Sequence, residues 1–384
     1  MPKKLLKILH IITGLNTGGA EMALYKLLST LKPSEFSLHV ISLTDQGDLG
    51  ERIRSLGIAV TALNMHAGIP HFSDITNFSR TIREKEPHII QTWMYHADLL
   101  GGLASRFSKH IPLVWNIRNS TLDRNTSKRT TRYTVYACAR VSHHWPQKIV
   151  TCSETARQLH VNLGYDAKRM IVIPNGFDLA LFRPNLDARQ SLRANLGLPS
   201  ETILIGAVGR FDPQKDYLTM IKAAARLHAK RSDVHFVLCG AGLTSSNSIL
   251  TNWIDEHGLQ SVFHLLGQRS NIPEITAAFD LATSSSAYGE AFSNVLGEAM
   301  ACGIPFVATN VGDATTILGE AGKVVPPRDP DALAAAWFDV LSMSASQRSS
   351  LGNVGRNRIQ THFNLPVIAE KYADLYRELA CRMQ

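Results

Sequence analysis

The chain has 384 residues, 45% of them hydrophobic and 19% charged, with 40 Lys+Arg against 32 Asp+Glu and a formal net charge of +8. That length suits two domains with substantial cores, since domains commonly run about 100 to 200 residues, and the composition is that of an ordinary globular protein without a low-complexity tract. No apolar run approaches the roughly 18 to 20 residues that a membrane span needs, so any membrane contact is expected to be peripheral. The five cysteines (Cys138, Cys152, Cys239, Cys302 and Cys381) are scattered, with no C-x-x-C pair, which fits a reduced cytoplasm.

At the start, Lys3, Lys4 and Lys7 with the apolar run 5–12 imitate a short signal peptide. The same residues also make a first buried strand followed by a glycine turn, which is the reading preferred here. Gly18 and Gly19 precede a helix expected from about Ala20, where the absence of a Cβ lets backbone approach a ligand; a tight strand-to-helix turn needs the same residues. Short β-branched-rich runs follow at 8–12, 38–43, 59–63, 89–93, 113–117 and 149–151. Between them, segments such as 20–31, 76–85 and 97–108 carry apolar residues at helical spacing. This alternation predicts a parallel sheet covered by helices. His96 sits just past one strand, where a structural histidine and a site histidine are both in keeping.

Charge is unevenly placed: residues 1–180 hold 22 Lys+Arg against 13 Asp+Glu, a balance of +9, and residues 181–384 hold 18 against 19, a balance of −1. Within 118–148, Arg118, Arg124, Lys128, Arg129, Arg132, Arg140 and Lys148 face only Asp123, interleaved with Tyr133, Tyr136 and Trp145. Such a patch attracts nucleic acid, anionic lipid headgroups or a lipid pyrophosphate, although a solvated helix face would look the same.

The second half repeats the alternation, with strands at 203–208, 234–240, 262–265, 281–283 and 306–309 and helices at 218–228, 249–257, 272–278, 294–301, 330–341 and 346–362. Residues 177–184 read as a linker and 365–381 as a closing amphipathic helix. Two doubly wound domains bind ligands beyond the carboxyl ends of their strands, so chemistry is expected in the groove between them. Arg210 and Lys215, five apart across Pro213, place two cations where a diphosphate could lie, though a solvated loop could carry both. Ser293 and Asn294 are favoured cap types, 294–301 suits a helix, and Gly303 with Pro305 ends it. Glu290 then lies in the loop before the helix. Glu298 lies one turn inside, near backbone N–H groups that attract phosphate, although glutamate is also simply a good helix former. The adjacent pair His143-His144 has no metal-ligand spacing around it and no D-x-D ends a strand, so no metal is expected.

Four segments in order, 14–21 (GLNTGGAE), 173–178 (IPNGFD), 208–216 (VGRFDPQKD) and 288–305 (YGEAFSNVLGEAMACGIP), resemble the retaining group 1, or family four, glycosyltransferases across essentially the whole chain. The resemblance implies an α/β GT-B fold, two doubly wound parallel-sheet, Rossmann-like domains facing a central cleft. Residues 1–180 would bind the acceptor, 181–364 the donor, and the closing segment 365–384 would pack back on the first domain. Arg210 and Lys215 would stabilise the departing diphosphate, Glu290 would hold a hydroxyl of the transferred sugar, and Glu298 the ribose hydroxyls. The backbone of Ala291, Phe292, Ser293 and Asn294 would meet sugar and phosphate, while Gly18, Gly19 and Gly209 would line the donor and Gly267 with Arg269 would frame the base. Relatives often place a histidine after the strand 113–117; this chain departs from that, leaving Arg118, Asn119 or His96 to face the acceptor.

The expected substrate is a nucleotide sugar, UDP-linked by preference, with no cofactor and no metal, and the transfer a same-face one with retention. The expected partner is a glycan or polyprenyl-pyrophosphate-linked acceptor, met in the cytoplasm or peripherally at the inner face of an anionic membrane, and no nucleic acid. Competing readings are a nicotinamide-dependent oxidoreductase, which lacks its G-x-G-x-x-G after the first strand, a sugar-nucleotide epimerase, and a non-catalytic nucleic-acid binder.

Overall fold

A computed structural model describes residues 5–16, 18–65, 72–106, 111–120, 122 and 128–382. Lys3, Lys4, Thr17, Asp123 and Arg124, named above, lie outside the described residues, as do the ends of 97–108 and 365–384. Thirteen strands occur among the described residues: β1 (Leu6–Ile12), β2 (Phe36–Ser42), β3 (Ala59–Ala62), β4 (Ile89–Trp93), β5 (Leu113–Ile117), β6 (Lys148–Thr151), β7 (Met170–Val172), β8 (Ile203–Val208), β9 (Val234–Cys239), β10 (Phe263–Gly267), β11 (Leu281–Ser284), β12 (Phe306–Thr309) and β13 (Gly322–Val325). They form two sheets, ordered β3-β2-β1-β4-β5-β6-β7 and β10-β9-β8-β11-β12-β13. Every strand pairing is parallel, as strands joined through helices must be when both faces are covered. The edge strands β7, of three residues, and β13, of four, are short and are not among the strands read from the sequence.

Two compact units divide the chain, residues 1–176 with 365–384, and residues 177–364. The division falls at 176/177, at the start of the expected linker 177–184, whose residues pack within the second unit. The Phe177 ring is fully buried and stacks on Phe292 at 6.0 Å, and its N–H donates to the Phe363 carbonyl at 2.8 Å. Asp178 Oδ1 accepts from the N–H groups of Ala180 and Leu181, closing a local turn. Gly176 is required by crowding, because a Cβ there would sit 2.9 Å from Leu365 Cα.

In the first unit the helix Leu365–Cys381 buries Ile368, Tyr372, Tyr376 and Leu379 against Ile8, Ile12, Trp93 and Val114. Polar groups lie in that interface. His10 pairs opposite Gln91 and Trp93 opposite Asn116 in adjoining strands. Tyr376 Oη donates to Gln91 Oε1, Asn116 Nδ2 to Tyr372 Oη at 2.9 Å, and Trp93 Nε1 to His10 Nδ1 at 3.2 Å. A bidentate pair of Arg377 with Glu35, 2.6 and 2.8 Å, fastens the far end of the helix.

Burial pushes the His10 imidazole down to about 3 and that of His160 down to about 4. Both lie below the ordinary value near 6.5, so their stabilising contribution is complete above it and is lost as pH falls. Between pH 6 and 4.5 the first unit should lose about 1.4 kcal/mol per pH unit for each of these histidines, and His160→Gln should remove one such increment from the slope. Denaturant titrations at stepped pH read this directly, and equal slopes for parent and variant would rule it out. A Cβ at Gly297 would lie 2.0 Å from the immobile Phe177 ring, so Gly297→Ala should lower stability by about 1–3 kcal/mol in the same assay.

Candidate functional site in the second unit

Strands β8 and β11 are neighbours, yet the chain leaves β8 toward β9 on one side and β11 toward β12 on the other. Where winding reverses in this way, the two following loops diverge and leave room for a ligand. Those loops are 209–216 and 285–293, which carry the residues singled out above.

The first loop is shaped by glycines and a tight turn. Gly209 N–H donates to Cys239 O at 2.9 Å, and a Cβ on Gly240 would fall 2.0 Å from Gly209 O, so the ends of β8 and β9 can approach only without side chains. Asp212 Oδ1 accepts from Gln214 N–H at 2.9 Å and opens a 3-10 turn, Pro213–Lys215. Asp216 follows with φ of 47°, a left-handed conformation that aspartate tolerates by bonding locally. Its carboxylate caps the helix Tyr217–His228 through Thr219 N–H at 3.2 Å and Thr219 Oγ1 at 2.7 Å.

This turn directs Lys215 at the second loop, where Nζ meets Glu290 Oε1 at 2.5 Å. Ser286 Oγ donates to the same oxygen at 3.0 Å, Ser285 Oγ to Lys215 O at 2.7 Å, and Ala287 N–H to Gln214 O at 2.8 Å. The two side chains are only 16% and 14% exposed, so the ion pair is screened less than one at the surface. Arg210, in contrast, is 61% exposed and held by Asp212 Oδ2 at 2.9 Å. The two cations therefore share a turn but are each held by a separate protein carboxylate, rather than aimed at one point. Burial acts to raise the Asp212 carboxyl, but the Gln214 N–H, Arg210 and Lys215 together bring it below the usual carboxylate value.

The second loop runs into the helix Asn294–Ala301, whose buried face is Leu296, Gly297, Ala299, Met300 and Ala301. Ser293 stands at its N-cap but makes no capping bond; its hydroxyl is buried and has no hydrogen-bond partner among the described residues. Asn294 is exposed, Ala291 half-buried and Phe292 buried against Phe177. Glu298 is half-buried one turn inside, and its charge, after burial, helps push the Cys302 thiol up to about 12. Gly267 ends β10 with φ of 66° and accepts Gly240 N–H at 2.8 Å, linking three adjoining strand ends; Arg269 beside it is exposed.

In the first unit winding reverses between β1 and β4, which places Gly18, Gly19 and His96 at the corresponding strand ends. Gly18 caps the helix Gly19–Thr30, and a Cβ on it would meet the Glu21 carboxylate at 2.3 Å, whereas one on Gly19 would meet nothing within 4 Å. His96 is half-buried, and its imidazole is lowered by burial and then by Lys128. Arg118 turns inward: it donates to Asn175 Oδ1 and to Tyr372 Oη at 2.8 Å and lies over the Trp93 ring. Its guanidinium thus ties the IPNGFD segment to the closing helix. Asn119 bonds to the Tyr95 hydroxyl, which meets His160 Nε2 at 2.9 Å. Tyr95 and His160, 65 residues apart, carried no signal in the sequence, and neither did the fully buried Asp98, bound by Thr92 Oγ1 at 2.5 Å.

Known proteins resemble this chain in sequence and in fold. Residues 188–358 match the profile of the glycosyl transferases group 1, and residues 17–181 that of glycosyltransferase family 4. The chain belongs to the group 1 glycosyltransferases. It is 26% identical over 323 residues to the putative glycosyltransferase EpsF of Bacillus subtilis, covering 82% of this chain and 81% of that protein. It is 35% identical over 207 residues to a D-inositol 3-phosphate glycosyltransferase of Mycobacterium marinum, covering 53% of this chain and 44% of the relative. The crystal structure of Anabaena Alr3699/HepE in complex with UDP has a TM-score of 0.84 at 23% identity, covering 97% of this chain and 100% of that one. The fold of this glycosyltransferase is accordingly GT-B.

Lys215→Met should leave Glu290 half-buried without its cation and lower stability by about 1–3 kcal/mol, and adding Glu290→Gln should recover part of that loss. A double-mutant cycle on thermal stability measures the coupling, and a value near zero would show that the pair is incidental.

Proposed function

We propose that the protein moves a sugar, with retention and without a metal, from a UDP-linked donor held by the second unit to a glycan or polyprenyl-pyrophosphate-linked acceptor held by the first. The work belongs to surface polysaccharide or glycoconjugate synthesis, in the cytoplasm and against the inner face of a membrane. The observation that carries this reading is the enclosed Lys215–Glu290 pair at the winding reversal of the second sheet.

As the bond between the anomeric carbon and the diphosphate oxygen breaks, negative charge collects on the leaving phosphate. Lys215, held by Glu290 close to neutrality overall, can share its ammonium with that phosphate, and Arg210 can swing from Asp212 across solvent to add a second cation. The start of the helix Asn294–Ala301 offers N–H groups, and the unpartnered Ser293 hydroxyl offers one more donor. Preformed cations and dipoles of this kind take the place a metal holds in other transferases. The acceptor oxygen forms its bond on the face that the phosphate leaves, and its proton passes to a phosphate oxygen, so charge and protons balance without a covalent enzyme intermediate. Glu298 would hold the ribose hydroxyls and Glu290 one hydroxyl of the sugar, with Gly209, Gly267 and Arg269 around the nucleotide. His96 and Asn119 would face the acceptor; Arg118 supports them from behind, through Asn175 and Tyr372. A UDP complex and a UDP-glucose complex of the structural neighbour support the choice of donor.

UDP at about 100 times its dissociation constant should stabilise the protein by about 2.7 kcal/mol, visible as a raised Tm. Against the donor that stabilises most, Lys215→Ala and Arg210→Ala should each lower kcat/KM by about 100-fold to 1,000-fold, and Glu298→Ala should raise KM for the donor more than it lowers kcat. Parental turnover in all three variants would overturn the site assignment, and an inverted anomer in the product would overturn retention.

A further inference from the structure

Of the basic stretch 118–148, Arg118 and Trp145 are half-buried and engaged within the first unit. Arg118 is spent on Asn175 and Tyr372, and Trp145 packs over Gly102, where an added Cβ would lie 2.6 Å from its ring. What is left is concentrated on one helix, Arg129–Val141, which buries Val135, Cys138 and Ala139 against the first unit. Its outer side presents Arg129, Tyr133, Tyr136 and Arg140 at spacings of four, three and four, so they fall on a single stripe.

Tyr133 is 74% exposed and Tyr136 49%, the former far more open than a tyrosine held by its own protein needs to be. Arg132 flanks the stripe and Lys128 precedes it. None of Lys128, Arg129, Arg132 and Arg140 has an acidic partner among the described residues. Residues 128–148 contain no Asp or Glu at all.

We propose that this outer stripe is the surface with which the protein lies on an anionic bilayer. Arginine guanidinium groups bond lipid phosphates in pairs, and tyrosine sets an apolar ring against the acyl boundary while its hydroxyl stays among the headgroups. From Arg129 to Arg140 the stripe runs about 16 Å, a line that a flat surface can meet along its whole length. A single-stranded nucleic acid is instead tracked by a basic groove with several stacking platforms, whereas here two rings stand on one helix. The binding is electrostatic in the main and reversible, since two tyrosines insert little apolar area. The proposal rests on the lipid-linked acceptor put forward above, because it brings the first unit to the surface where such an acceptor resides.

The test is sedimentation of the full-length protein with vesicles of phosphatidylglycerol and phosphatidylcholine, without any nucleotide sugar, so that its outcome does not depend on the transferase assay. Binding to vesicles rich in phosphatidylglycerol is expected at low salt, falling with salt and absent from pure phosphatidylcholine. Each removed cation near an anionic surface weakens binding roughly fivefold, so Arg129→Gln, Arg132→Gln and Arg140→Gln together should weaken it about 100-fold. Tyr133→Ser with Tyr136→Ser should weaken it several-fold further at high salt, where the apolar part remains. Arg129, Tyr133, Tyr136 and Arg140 are exposed and Arg132 is half-buried at the edge of the stripe, so the melting temperature and UDP stabilisation should stay close to those of the parent and report intact folding. Equal binding by parent and triple variant, no preference for the anionic vesicles, or salt-dependent capture of an oligonucleotide in place of vesicles would each overturn the proposal. If vesicle binding fails while UDP still stabilises the protein, the surface assignment falls and the donor site stands.

Discussion

The second sheet changes winding direction between β8 and β11, and the placement of the loops 209–216 and 285–293 hangs on that one constraint. Parallel strands need long crossovers, each crossover takes a fixed hand, and two neighbours whose crossovers depart in opposite directions cannot cover the gap at their carboxyl ends. Into that gap the chain puts a 3-10 turn from one side and a serine-rich loop from the other. The two loops are stitched by Ala287 N–H on Gln214 O and Ser285 Oγ on Lys215 O before any charged side chain is counted. The Lys215–Glu290 pair then joins two loops whose backbones are already fixed, so little side-chain freedom remains to be lost when it forms. Such a pair is preorganised, its ammonium fixed beside the carboxyl ends of β8 and β11.

The first unit uses buried polar groups for a different end. Tyr372 and Tyr376 on the closing helix bond Asn116 and Gln91 on neighbouring strands, and Arg118 joins the same cluster from the end of β5. An apolar interface alone would let that helix slide by a turn; hydroxyls that must find a particular amide allow one register. His10 Nε2, Gln91 Nε2 and Asn116 Oδ1 are buried in that interface without a hydrogen-bond partner among the described residues.

Much of this was legible beforehand. The central strands β4 and β5 coincide with their predicted spans because four of the five residues in each are apolar or β-branched. The helix Asn294–Ala301 was equally clear, since cap residues, small residues and a Gly-x-Pro stop agree. The domain border was not, because Phe177 and Asp178 look like loop residues until Gly297 is seen making room for the phenyl ring. Nor was the fate of Arg118: a cation after a strand end reads as a ligand-binding group, and only the return of the chain some two hundred and fifty residues later supplies Tyr372 to occupy it. Periodicity reports what is near in sequence, and these two misses are contacts between distant segments.

The closing helix also bears on how the molecule is made. The core of the first unit includes Ile368, Tyr372, Tyr376 and Leu379, which leave the ribosome after the whole of the second unit, whereas the second unit draws on one unbroken stretch of chain. The half synthesised first must therefore wait, its sheet face uncovered, until the half synthesised second is complete, and the apolar groove awaiting the last helix is the surface a nascent-chain chaperone would meet.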